Sequence, residues 1–201
     1  MDRRYAIKLT AGCTLLAAAA GVISACSQDQ PKIRNIDITG ADYAKDFQLT
    51  DQNGQVRTLR DFRGKVVVLF FGYTQCPDVC PTTMAELAEA KKALGKDGDK
   101  LQVLFITVDP ERDTPQVLKA YMANFDPTFL ALRPTPAQLP EVAKAYKVYY
   151  KKVPGNTPTS YTMDHSAGSY VYDTKGNVRL YYRYGSGVPA LVSDIQLLLQ
   201  S

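Results

Sequence analysis

The residues of this chain best able to do chemistry are two cysteines and its single histidine. Cys76 and Cys80 lie four positions apart in Cys76-Pro77-Asp78-Val79-Cys80-Pro81, and His165 lies far downstream. Two thiols and one imidazole make a soft donor set. Thiolates select soft ions and imidazole accepts copper readily, so the set suits trigonal Cu(I), or part of a tetragonal Cu(II) site. Asp78 and Asp164 are candidate extra ligands for Cu(II), and Asp164 can also accept a hydrogen bond from the ring and orient it. His165 falls in a Ser160–Ser169 segment read as a loop, outside any apolar stripe. The same two thiols can instead form a structural disulfide, or a redox-active pair that binds no metal.

Those groups need a scaffold, and its elements are legible. Lys65–Phe71 is a continuous apolar, β-branched run of the kind that forms a strand buried on both faces. The cysteine loop follows it, and Thr82–Leu94 has helical spacing. Pro81 lacks an N–H and fits the first turn of that helix, which puts Cys80 at the helix entry, where the partial positive charge favours thiolate. Leu101–Val108 is a second apolar strand, closed by Asp109-Pro110. Asp113 or Thr114 then caps a helix with Pro115 in its first turn. Thr135-Pro136 opens a helix to about Tyr146. Phe47–Leu49 and Val56–Leu59 form a hairpin around an Asn-Gly turn, and Ser169–Asp173 pairs with Val178–Tyr182 in another. Val188–Leu199 reads as a closing helix. Strands alternating with helices predict an α/β sandwich with a mixed sheet, an N-terminal β-hairpin, and a C-terminal hairpin plus helix; the thioredoxin-like three-layer fold fits best.

The ends and the composition bound the rest. Arg3, Arg4 and Lys8 precede a weakly apolar run, Leu9–Ala25, which has signal-peptide character and is short for a membrane span. The run ends in Ile23-Ser24-Ala25-Cys26, a bacterial lipobox pattern that predicts a signal peptide over residues 1–25 and lipidation of Cys26. Asp2–Lys8 partly matches a twin-arginine signal. Residues 26–45 then read as a tether and 46–201 as the folded domain. Cys13 leaves with the signal and Cys26 carries lipid, so Cys76 and Cys80 are the free thiols of the mature chain, in a compartment where disulfides persist. The chain has 24 basic and 20 acidic residues. Without Arg3, Arg4, Lys8 and Asp2 the balance is only +2, which argues against nucleic acid as a partner.

Three segments together resemble the Sco/SenC family: Phe70–Pro81 around the cysteines, Thr107–Thr114 (Thr-Val-Asp-Pro-Glu-Arg-Asp-Thr) and Asp164-His165-Ser166. The similarity covers about residues 40–200. It implies a membrane-anchored copper protein of thioredoxin-like fold, with Cys76, Cys80 and His165 as the copper ligands. It further implies delivery of copper to the CuA site in cytochrome c oxidase subunit II. An upstream periplasmic copper donor would load it, and the bacterial cell envelope would house it, with the domain on the extracytoplasmic side of its lipid anchor. The alternative is a thiol–disulfide oxidoreductase that keeps the CuA cysteines reduced, with Cys76 and Cys80 as the redox pair; dedicated dithiol enzymes, however, use Cys-x-x-Cys rather than the spacing here. A peroxidase of the peroxiredoxin kind needs threonine three residues before its cysteine, whereas Thr74 is two before Cys76. Asp109 and Arg112 are candidates for a direct role, although strand termination and helix capping explain much of their segment. Tyr146–Tyr161, rich in tyrosine and lysine, is equally a partner surface or a solvated loop.

Overall fold

The apolar run at residues 65–71 becomes the strand around which the sheet is built. In chain order the elements are β1 (Ile36–Asp37), β2 (Leu49–Asp51), β3 (Val56–Arg57), β4 (Val66–Gly72), α1 (Val79–Ala93), β5 (Leu101–Thr107), α2 (Pro115–Ala123), β6 (Leu130–Arg133), α3 (Gln138–Ala145), β7 (Tyr150–Pro154), β8 (Tyr161–His165), β9 (Ser169–Tyr172), β10 (Val178–Tyr182) and α4 (Val188–Leu199). The structure, a computed structural model, describes residues 32–157 and 160–200. The expected signal peptide and lipidated Cys26 lie outside that span. Among the described residues no helix is long and apolar enough to cross a membrane.

Every residue of β4 is buried. It pairs in parallel with β5, from Val66 opposite Leu101 to Gly72 opposite Thr107, and antiparallel with β9. The full order is β1-β10-β9-β4-β5-β6-β2-β3, a mixed eight-stranded sheet. A strand with neighbours on both edges and helices over it has no solvent-facing side, which is why the run is apolar without alternation. The parallel β4–α1–β5 and β5–α2–β6 crossovers need a helix apiece to return the chain, and α1 packs against α4. The mixed α/β architecture is the one expected.

Three local readings change. Residues 33–45 are not a free tether. The amides of Arg34 and Asn35 donate to the buried Asp194 carboxylate at 2.8 and 2.9 Å, Ile36 pairs with Tyr181, and the Tyr172 hydroxyl donates to the Ala44 carbonyl. The folded unit therefore starts at Ile33, not at 46; its partners lie more than a hundred residues away, beyond the reach of local pattern. Strand β6 was not expected, because four residues carry little periodicity. Of the two cap candidates it is Thr114 that caps α2, its side chain accepting from the Val117 amide.

The largest change concerns residues 150–165. Tyr150–Pro154 and Tyr161–His165 form an antiparallel hairpin, a two-stranded sheet separate from the main one. His165 is thus the last residue of a strand and not a loop residue. The Lys151-Lys152 pair and Pro154, at the end of β7, hid the strand, since β7 faces solvent at both lysines. Of the tyrosines, Tyr146 is buried, Tyr150 and Tyr161 are half-buried, and Tyr149 is exposed, so the segment is largely a core edge.

Replacing Asp194 by alanine leaves the amides of Arg34 and Asn35 without their acceptor. Unpaired groups of this kind cost roughly 1–3 kcal/mol. Urea denaturation should show a loss of that size, and hydrogen exchange at those two amides should accelerate while the amides of β4 stay protected.

Candidate metal centre

The cysteine loop starts where β4 ends. Gly72 closes the strand, and a Cβ on it would lie 2.8 Å from Cys80 Sγ, 2.7 Å from Phe70 Cε1 and 2.8 Å from Phe105 Cε2. Only glycine leaves room for the buried sulfur. Pro81 stands in the first turn of α1, where its missing N–H removes no helical bond. Cys80 stands beside it, fully buried. Its amide donates to Cys76 Sγ at 3.4 Å, one helix-terminal N–H satisfied by sulfur. Cys76 is half-exposed. Both cysteines are free thiols, not a disulfide.

His165 comes to them from the separate hairpin. Its Nε2 lies 3.3 Å from Cys80 Sγ, and Nδ1 lies 3.0 Å from the Ser166 carbonyl. A carbonyl can only accept, so Nδ1 carries the proton and Nε2 presents a lone pair to the sulfurs. Phe70 and Tyr73 hold the ring edge-on, with centroids 5.9 and 5.8 Å away. The two sulfurs and the ring nitrogen all lie within 4.8 Å of one another. A three-coordinate ion about 2.3 Å from each donor spaces them roughly 4 Å apart, so a soft ion fits with little movement.

The two sulfurs are electrostatically unlike. The Cys76 thiol is pulled down to about 3, first by the hydrogen bond from the Cys80 thiol and then, against burial, by the Asp78 and Cys80 amides. Burial pushes Cys80 far up, and the Cys76 thiolate beside it adds to the shift. The metal-free site is therefore a thiolate at the surface above a protonated thiol. That proton has two acceptors, the Cys76 sulfur and His165 Nε2.

A cleft of about 340 Å³, whose lining includes Tyr73, Cys76, Asp78, Met163, Asp164 and His165, gives the site its opening. Asp78 and Asp164 stand in its wall without joining the donor cluster. Asp78 is exposed and accepts from Thr82 Oγ1 at 3.3 Å. The ring's Nδ1 is held by the Ser166 carbonyl rather than by Asp164.

Asp113, read as a possible cap, supports the cysteine loop. Fully buried, its carboxylate accepts from the Thr74 hydroxyl at 2.6 Å, the Thr107 hydroxyl at 2.6 Å and the Thr74 amide at 3.2 Å. Burial pushes its pKa up, against those hydrogen bonds. Arg112 pairs with Asp109, donates to Gln75 Oε1 and the Tyr161 carbonyl, both at 2.9 Å, and stacks on Tyr161 with Cζ 3.5 Å from the ring centroid. The signal was the charge density of Asp109–Asp113 straight after a buried strand; local rules credit it to capping.

The family model of SCO1/SenC matches residues 36–200. The chain belongs to the SCO1/SenC family. Bradyrhizobium japonicum ScoI, solved with copper bound, is 44% identical, with a TM-score of 0.70 over 76% of this chain and 97% of that one. Yeast Sco1 with copper bound is 34% identical, with a TM-score of 0.70 over 78% of this chain and 87% of that one. A SCO2-like protein of Rickettsia felis is 39% identical over 132 residues, 65% of this chain. The chain spans 64% of the length of that relative. Against these SCO1/SenC neighbours the mixed sheet with its helices is the thioredoxin-like fold expected.

Two measurements probe the geometry. Gly72→Ala should lose roughly 1–3 kcal/mol in urea denaturation, the usual penalty of overpacking, because the new methyl meets Cys80 Sγ. In the reduced, metal-free protein, Cys76 should react with iodoacetamide at a nearly constant rate from pH 8 to pH 5. An ordinary thiol slows about tenfold per unit below its pKa, and Cys80 should stay unmodified throughout, as peptide mapping of the alkylated protein would show.

Proposed function

We propose that this chain carries copper as cargo, binding Cu(I) through Cys76, Cys80 and His165 and passing it to the CuA site of cytochrome c oxidase subunit II. The observation that carries the reading is the donor cluster itself: two sulfurs and an imidazole lone pair within 4.8 Å, at the floor and wall of an open cleft. Copper-bound relatives at 44% and 34% identity support it. Soft thiolates favour Cu(I), and a three-donor site leaves a coordination position for an incoming ligand. Transfer then proceeds by ligand exchange rather than by release of a free ion. The cleft admits such ligands beside half-exposed Cys76, while Cys80 is reached only through the metal.

The same reading calls for a periplasmic copper donor upstream. It also calls for the domain to stand on the outer side of a bacterial envelope membrane, held by a lipid on Cys26.

One observation favours a second reading, reduction of the CuA cysteines. The exposed Cys76 thiolate is a poised nucleophile and the protonated Cys80 a resolving thiol. Cys76 would attack a partner disulfide and release one partner thiol. Cys80, losing its proton, would then attack Cys76 Sγ and release the second, leaving a Cys76–Cys80 disulfide and a partner reduced by two electrons.

An anaerobic Cu(I) titration of the detergent-solubilised full chain against a competing chelator separates the two. One tightly bound copper per chain is expected, abolished by Cys76→Ser with Cys80→Ser and weakened roughly 10- to 100-fold by His165→Ala. A reduced chain that takes up no copper, yet reduces a disulfide peptide mimicking a CuA cysteine pair, would replace the cargo reading with the reductase one.

A further inference from the structure

His165 ends a two-stranded sheet that no backbone ladder joins to the main one, whereas Cys76 lies in the loop after β4 and Cys80 in the first turn of α1. Residues 166–168 link His165 to β9, beside β4, so the chain holds that end of the hairpin and side chains seat the other. Nη1 of Arg112 donates at 2.9 Å both to Gln75 Oε1, on the residue before Cys76, and to the Tyr161 carbonyl, at the start of the strand that ends in His165. The guanidinium plane covers the Tyr161 ring and reaches Tyr73, whose own ring packs edge-on to His165. Asp109 holds Arg112 through Nε and also accepts from the Tyr161 hydroxyl at 2.9 Å. The far end of β8 closes on its own hairpin partner, the Ser166 amide donating to the Tyr149 carbonyl, and runs on into β9.

We propose that Arg112 is a positioning residue of the site, a strap between the cysteine loop and the start of β8 that sets the reach of His165 to the thiols. The inference rests on the copper-cargo reading for its consequence, not for its geometry. Arginine is the residue type this strap needs. Its planar fork can donate in two directions while its face stacks on an aromatic ring, and an ammonium cannot do both. Arg112 touches none of the three donors, so its removal should loosen the imidazole contribution and leave the thiolates in place. Interactions that orient a metal ligand without contacting the metal are typically worth roughly 10- to 100-fold in affinity.

The test is a double-mutant cycle on the full chain. Arg112→Met should weaken Cu(I) roughly tenfold in the presence of His165 and change it little in the His165→Ala background; Arg112→Lys should not restore it. In metal-free protein His165 is the only histidine, so its ring signals in ¹H–¹⁵N spectra are unambiguous. At fixed pH, Arg112→Met should shift the ring signals and weaken the ring's proximity to Tyr73, while the Ser166 carbonyl keeps the proton on Nδ1. Gln75→Leu, an exposed change that spares the fold, should move the same signals in the same direction by less, and decides the matter if Arg112→Met does not fold. Equal losses of copper affinity in both backgrounds, unchanged ring signals, or full rescue by lysine would overturn the proposal. If wild-type protein binds no copper, the cargo reading falls, while the ring signals still decide the role of Arg112.

Discussion

The site depends on one constraint: its third donor ends a hairpin that shares no backbone ladder with the main sheet, while the other two stand after β4, in the loop and the first turn of α1. In a single sheet, backbone hydrogen bonds fix each strand against the next. Here a three-residue link holds one end of the hairpin to β9, and side chains seat the other. Met163 packs into the core, and the Arg112 guanidinium bridges from Gln75 to Tyr161.

A second constraint acts below the cleft. The end of β4 and the first turn of α1 approach so closely that only a glycine at 72 leaves space for the Cys80 sulfur. Burial then keeps Cys80 protonated in the absence of metal, while Cys76, half-exposed and supplied with donors, holds the negative charge. The asymmetry serves either chemistry open to the pair. For copper, it presents one thiolate first and a second sulfur whose proton leaves as the ion arrives. For disulfide exchange, it separates an attacking sulfur from a resolving one.

Buried Asp113 links the two constraints. Its carboxylate fixes Thr74, two residues before Cys76, to Thr107 at the end of β5, and the next residue upstream is Arg112. One short segment after β5 thus braces the cysteine loop from behind and reaches past it to the histidine hairpin. A carboxylate in an apolar setting persists only with its oxygens satisfied, and here Thr74 and Thr107 supply the donors.

Much of this was fixed by residue type and order alone. An unbroken apolar, β-branched run at 66–71 reads as a strand covered on both faces, Asn53-Gly54 favours a tight turn, and two cysteines at a helix start with a lone histidine downstream form a soft donor set wherever the chain brings them together. Those features act through neighbours in sequence, so sequence displays them. What brought the donors together was decided only in three dimensions. The pairing of Ile36 with Tyr181 joined a supposed tether to the domain, and the hairpin at 150–165 placed the histidine at the end of a strand rather than in a loop. Arg112 spanned 49 residues to reach Tyr161. Each of these is a contact between residues far apart in the chain, whose energy appears only after the intervening elements have folded; no local pattern can encode it.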